Sequence, residues 1–196
     1  MRPVTRLRRR LGAQGGYTLV EMLTVLLILG VVMGGLTTVL TSATNADAEM
    51  NNRFQAQQTT RLALDKLRRE VHCSSAATPL ATSTSSITLT LPSYCKTYSG
   101  SASVTWCTRS VSTNRYALWR VNGATCTGGV KWADFLTPTS TATVCSGALC
   151  VFNCSAQSTS TLAKLHVDFP VNTKPSRAVD TYELVDDLVL RNSSRS

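Results

Sequence analysis

The sequence predicts an α+β fold: one long N-terminal α-helix, membrane-spanning in its first half and amphipathic in its second, packed on an antiparallel β-sheet head. Three observations carry that prediction. Residues 17–40 form an apolar run in which Glu21 is the only charge. Residues 41–71 contain no Pro or Gly and set Met50, Phe54, Leu64, Leu67 and Val71 at helical spacing, with Leu62 nearby. Beyond Cys73, short segments alternate apolar and polar residues with the period of two that marks a half-buried strand. A helix laid on such a sheet is one of the stable layer architectures.

The chain opens on Arg2, Arg6, Arg8, Arg9 and Arg10, with no acid before residue 17. As a helix, residues 17–40 span about 36 Å at ~1.5 Å per residue. That is enough to cross a hydrocarbon core of about 30 Å. The arginines keep the leader cytoplasmic by the positive-inside rule, which puts everything after Leu40 outside. The run is too long for the apolar core of a secretory signal, roughly 7–15 residues. Ala46-Asp47-Ala48 could pose as the cleavage site of such a signal, but Glu21 would then be unexplained. No cysteine follows the run closely enough for a lipoprotein signal. The expected organisation is a leader over 1–16, a membrane-spanning half-helix over 17–40, an amphipathic half-helix over 41–73 and a β-rich, cysteine-containing head over 74–196.

Within the second half of the helix, Arg61, Asp65, Lys66, Arg68, Arg69 and Glu70 fill the faces away from the apolar stripe. Asp65 and Arg69 form an i,i+4 pair. Thr41-Ser42-Ala43-Thr44-Asn45 is the weakest stretch and is expected to loosen the helix locally. The stripe needs a partner to bury it, and the rest of the chain supplies one. More than half of residues 74–91 are Ser or Thr, opening as a loop and turning into a strand where Ile87, Leu89 and Leu91 alternate with Thr88 and Thr90. Further strand candidates are 104–108, 115–121, 147–152, 164–171 and 182–190. Asn122-Gly123 reads as a hairpin turn. Interleaved Trp106, Trp119, Trp132 and Phe135 argue for a folded core rather than a low-complexity linker. No internal repeat is visible.

The formal charge of +9 includes the five leader arginines, so the remaining chain is only mildly basic, which is no footprint of a nucleic-acid protein. All seven cysteines (Cys73, Cys95, Cys107, Cys126, Cys145, Cys150 and Cys154) lie beyond the apolar run, on the side where disulfides persist. The odd number permits at most three bridges, leaving one thiol free or paired between chains.

Gly15-Gly16-Tyr17-Thr18-Leu19-Val20-Glu21-Met22-Leu23 closely resembles the class III signal of type IV pilins and type II secretion pseudopilins. The resemblance implies that a prepilin peptidase cuts between Gly16 and Tyr17 and methylates the new N-terminus, making Glu21 the fifth mature residue. It also implies a pilin-like stalk and head, and partners in other pilin or pseudopilin subunits through the N-terminal helix, a membrane assembly platform and a cytoplasmic ATPase. The location implied is a single-pass cell-membrane protein with an extracytoplasmic head, later part of a surface or periplasmic filament. Residues 61–71 and 182–192 resemble, more loosely, minor pilins of the W type and pseudopilins of the J type. The mid-helix proline frequent in major pilins is absent, and Tyr17 replaces the more usual Phe. The function implied is that of a structural subunit in filament assembly or initiation, with no catalysis of its own.

Glu21 is the leading candidate site, because a charge within a bilayer is costly and marks function by default. The α-amino group of Tyr17 on a neighbouring subunit is the cation that would relieve it. Gly16 allows the close backbone approach that the peptidase needs. Gly30 and Gly34 stand in small-xxx-small spacing suited to close helix packing. His72 and His166 with the cysteines do not make zinc-site spacing. There is no C-x-x-C, G-x-S-x-G, Walker loop or G-x-G-x-x-G, so no metal, cofactor or catalytic site is expected. Asp180, Glu183, Asp186 and Asp187 read as the solvated face of a late strand more readily than as a calcium site. The alternative is a single-pass membrane-anchored adhesin or DNA-binding receptor. Arg109, Arg115, Arg120 and Lys131 with Trp106, Trp119 and Trp132 would then form a nucleic-acid patch, one that a tip subunit taking up DNA could also use.

Overall fold

The computed structural model describes residues 16–98, 100–158 and 160–192, so Gly15 and the leader arginines lie outside the described residues. One helix, α1 (Leu19–Cys73), leads into a head of short strands. The chain divides into two units, the first ending at Glu49 and the second beginning at Met50.

In the first unit α1 is solvent-exposed along its apolar residues, from Leu19 through Leu40. The stretch 41–45 stays helical, contrary to expectation. Its hydroxyls bond back to the helix's own carbonyls: Thr41 Oγ1 donates to Thr37 O at 3.0 Å, Ser42 Oγ to Thr38 O at 2.9 Å and Thr44 Oγ1 to Thr41 O at 3.0 Å. Side chains satisfied in this way no longer compete with the backbone for another conformation.

In the second unit α1 packs on a curled antiparallel sheet, as the α+β class requires. The strands are β1 (Ala76–Thr78), β2 (Ser83–Thr84), β3 (Ser86–Thr90), β4 (Ser103–Ser112), β5 (Arg115–Asn122), β6 (Val130–Leu136), β7 (Val144–Cys145), β8 (Ala148–Leu149), β9 (Phe152–Ser155), β10 (Lys164–Val171) and β11 (Tyr182–Val189). The main sheet runs β1-β3-β4-β5-β6-β10-β9-β2, with β11 paired along the other side of β10, and β7-β8 form a separate ribbon. The core gathers alternate residues: Ile87 and Leu89 from β3, Val104 and Trp106 from β4, Leu165, Val167 and Phe169 from β10. Phe152 meets Phe169 edge-on at 5.9 Å.

The helix buries Ala56, Thr60, Ala63, Leu64, Leu67, Glu70 and Val71. Of the expected stripe, Leu64, Leu67 and Val71 are in the core, whereas Met50, Phe54 and Leu62 are 67%, 57% and 61% exposed. The buried face is rotated from the expected one and uses Ala56 and Ala63, whose small side chains let the sheet come close. That rotation carries Glu70 inside. Its carboxylate is fully buried, accepting from Trp106 Nε1 at 2.7 Å and Arg120 Nε at 2.8 Å. Lys66 Nζ stands 3.6 Å away. Asp65 pairs with Arg68 at 3.4 Å rather than with Arg69, whose Nε donates to the Asp65 carbonyl instead.

Strand expectations fail where loops are tied down. The segment 147–152 splits into β8 and β9, with Cys145 bridged to Cys150 beside the break. Asn122-Gly123 does not form a two-residue turn: the connection from β5 to β6 runs on to Gly129, and Cys126 within it is bridged to Cys107 of β4. Gly129 has φ +86°, and a Cβ there would collide with the Arg120 carbonyl and the Val121 side chain. The tight turn lies instead between β4 and β5, where Asn114 takes φ 55°, a conformation that asparagine tolerates.

Cys73 is bridged to Cys95, with Cα atoms 5.9 Å apart, and Cys154 is the free thiol. Burial pushes the Cys154 thiol pKa up, which suppresses the reactive thiolate. Native protein should therefore leave Cys154 unlabelled by iodoacetamide, and unfolding without reduction should expose one reactive thiol per chain, read by intact mass.

Removing Glu70 leaves the Arg120 guanidinium and the Trp106 N–H without their buried acceptor. Glu70→Ala should destabilise the head by about 3–5 kcal/mol in denaturant unfolding, whereas replacing Glu70 and Arg120 together by apolar residues should recover much of the loss. A loss in the double variant equal to the sum of the two single losses would show that the pair does not act as a unit.

Candidate functional site

In the first unit, Gly16 and Tyr17 precede the helix, and Tyr17 is 75% exposed. Thr18 caps α1. Its Oγ1 accepts from Glu21 N–H at 3.3 Å and its carbonyl from Met22 N–H at 3.2 Å. Thr18 and Glu21 thus occupy the first and last places of the S/T-x-x-E capping pattern. The sequence reading did not single out Thr18, although that pattern is legible in the residues. Glu21 also lies in the first turn, where the unpaired N–H groups and helix dipole favour a carboxylate. Gly30, Gly34 and Gly35 have open space where a Cβ would stand, as does Gly16. Leu27, Val31 and Leu36 around the helical glycines are exposed, and α1 is long and apolar enough to cross a membrane. Chemically, this surface can do two things: bury apolar area against another body, and offer one carboxylate to a cation brought by another molecule.

In the second unit, the basic residues of the nucleic-acid alternative all engage internal partners. Arg120 is held by Glu70. Arg115 grips Asp134 through two bonds of 3.0 and 2.9 Å and lies 4.0 Å over the Phe135 ring. Lys131 reaches the same carboxylate at 2.9 Å. Arg109 stacks 4.6 Å over Trp119 and donates to the Gly128 carbonyl at 2.7 Å.

The late acids do not converge either. Asp180 pairs with Arg53 and Asp186 with Arg68, each at 2.7 Å, and Asp187 meets His166 Nδ1 at 2.7 Å. Asp186 therefore faces α1 rather than solvent, a correction to the solvated-face reading. His72 Nδ1 lies 2.9 Å from the Val189 carbonyl. Among the described residues, no three His, Cys, Asp or Glu side chains gather as metal ligands.

An apolar helix of membrane length, capped at Thr18, carrying one early carboxylate and running into a curled antiparallel head is a pilin-like architecture. Residues 11–37 match the family described as the prokaryotic N-terminal methylation motif. That match supports the type IV pilin or pseudopilin family, and with it membrane anchoring, processing by a prepilin peptidase and association with other pilins. It points to a structural subunit rather than an enzyme. Neither the curated proteins nor the solved structures contain a match to the chain.

Burial alone would raise the Asp134 carboxyl, but bonds from Arg115, Lys131 and the Phe135 amide outweigh it and hold its pKa at about 2. A carboxyl whose folded pKa is depressed stabilises the fold above its unfolded value of about 3.9, and that contribution is lost as pH falls through the folded value. Acid titration should thus erode stability between about pH 4 and pH 2, and Asp134→Asn should flatten that part of the curve. An unchanged slope in the variant would remove Asp134 from the account.

Proposed function

We propose that this chain is a minor pilin or minor pseudopilin, of the W or J type, that takes part in assembly or initiation of a filament. In this reading residues 1–16 are a leader removed between Gly16 and Tyr17, and Tyr17 becomes the methylated N-terminus. Residues 17–40 hold the subunit in the membrane and then in the filament core, 41–73 continue the stalk, and 74–196 form the outward head. The observation that carries the proposal is the apolar surface of α1, which is exposed among the described residues of its unit yet bears the methylation motif. A second subunit supplies that cover in a filament. Glu21 then meets the Tyr17 ammonium of its neighbour, and each group relieves the other's desolvation, because methylation keeps the amine charged. Gly30 and Gly34 let a neighbouring helix approach closely.

N-terminal sequencing and intact-mass measurement of the membrane-extracted protein from its native host should give a chain that begins at methylated Tyr17. Gly16→Leu should retain the leader. Glu21→Ala should be cleaved normally yet enter filaments at least about tenfold less, the scale of losing one charge-assisted contact. A start after Ala48, an intact leader, or full assembly of the Glu21→Ala variant would overturn the proposal and favour a tethered or secreted protein.

A further inference from the structure

Away from the apolar helix, the outer face of β10 holds a buried acid that finds no partner among the described residues. Along β10, Leu165, Val167 and Phe169 point into the core, so the alternation sets His166 and Asp168 on the opposite face. His166 sits there in register with Asn153 of β9 and Asp187 of β11. His166 remains half exposed, but Asp168 is only 6% exposed. The connection after β6 passes close by, bringing Thr141 to the same cavity as Asp168. It is fixed at one end by Thr137 N–H donating to the Pro170 carbonyl at 3.0 Å, and it buries Ala142 completely before reaching β7. Asp168 Oδ1 is left in the interior with no hydrogen-bond partner among the described residues.

A carboxylate in that position is costly unless something pairs with it. Beside it opens a cavity of about 260 Å³, lined by Asp168, Asn153, His166, Ser83, Thr141 and Phe152. Apart from Asp168, the polar lining consists of an amide, two hydroxyls and an imidazole already engaged through Nδ1 by Asp187 at 2.7 Å. The donor set selects among cations. Calcium takes 6–8 oxygen ligands, usually with several carboxylates, and no three-ligand group gathers among the described residues. A guanidinium presents five donors in a rigid planar fork that calls for paired charged oxygens, whereas Asp168 is the one carboxylate in a polar lining otherwise made of an amide, hydroxyls and an imidazole. A primary ammonium carries one compact charge and three N–H donors. One carboxylate oxygen with neutral amide and hydroxyl acceptors matches it, and Phe152 supplies an apolar wall for an alkyl stem.

We propose that this cavity is a binding site for a primary alkylammonium group, of the kind carried by a lysine side chain presented by another molecule. The site belongs to the head and does not depend on the filament reading.

The test is a ¹⁵N NMR titration of the full-length chain in detergent micelles with n-butylammonium chloride, with n-butanol as the uncharged control. Butylammonium should shift the Asn153 side-chain amide and the Asp168 backbone amide saturably, and n-butanol should not. Nα-acetyl-lysine amide should saturate the same signals. Asp168→Asn should weaken binding at least about tenfold, the scale of one charge-assisted bond. Asn153→Leu, at an exposed position in the cavity mouth, should also weaken it and keeps the test decisive if the Asp168 variant misfolds. Absence of saturation, equal response to n-butanol, or unchanged affinity in a folded Asp168→Asn variant would overturn the site. Saturation by calcium chloride but not by butylammonium would overturn the ammonium assignment, as would binding of butylammonium without binding of the lysine amide.

Discussion

The seat of the helix on the sheet depends on one buried carboxylate. Glu70 has no exposed side-chain surface, and both of its oxygens are committed, one to Trp106 and the other to Arg120 with Lys66 nearby. An apolar stripe alone is tolerant of sliding, since leucines and alanines at neighbouring turns cover similar area. A point charge is not tolerant. Sliding α1 by one turn would bring Lys66, four residues before Glu70, or Ser74, four after it, to the acceptor position. The first sets cation against cation, and the second offers no counter-charge to Arg120. The ion pair thus penalises neighbouring registers that the hydrophobic contacts would accept. The contacts of α1 with β11 follow from that register: Arg61 with the Tyr182 hydroxyl, Arg68 with Asp186 and His72 with the Val189 carbonyl.

How far this was legible in the sequence varied with the range of the interaction. Local periodicity was enough for the long helix, for Ile87 and Leu89 on β3 and for the alternation along β10, because those patterns repeat within a few residues. Glu70 escaped for the opposite reason. A charged residue between Arg69 and Val71 reads as solvated by default, and its partners lie 36 and 50 positions away. Strand β6 was missed because a bulge breaks its alternation: Tyr116 and Leu118 of β5 face Leu136 and Ala133, and Phe135 between them takes φ 63°. Asn122-Gly123 misled because the tertiary tie of Cys126 to Cys107 overrides local turn preference. The N-terminal site behaved differently. Gly16, Tyr17 and Glu21 could be proposed from type and order alone, whereas Asp168 could not, since the cavity beside it draws its lining from segments far apart in sequence, among them Ser83, Thr141 and Asn153.

The two units divide the physics between them. In the head, Arg115, Lys131 and Asp134 find one another in a single cluster. In the first unit the apolar side chains and the glycines face open space, and the hydroxyls turn inward onto the helix's own carbonyls. Self-satisfied polar groups and unsatisfied apolar surface suit a segment whose surroundings are lipid or other helices, where only backbone and hydroxyl demands must be met internally.

The bridge from Cys73 to Cys95 has a mechanical meaning. Cys73 is the last residue of α1, and Cys95 lies in the loop between β3 and β4. Tension drawn along the helix axis would enter the head as shear at the Glu70–Arg120 contact and, behind it, at a covalent stop. Hydrogen bonds and ion pairs loaded in shear yield at forces far below those that rupture a sulfur–sulfur bond. The helix end therefore cannot be peeled from the loop that follows β3 while that bridge is oxidised.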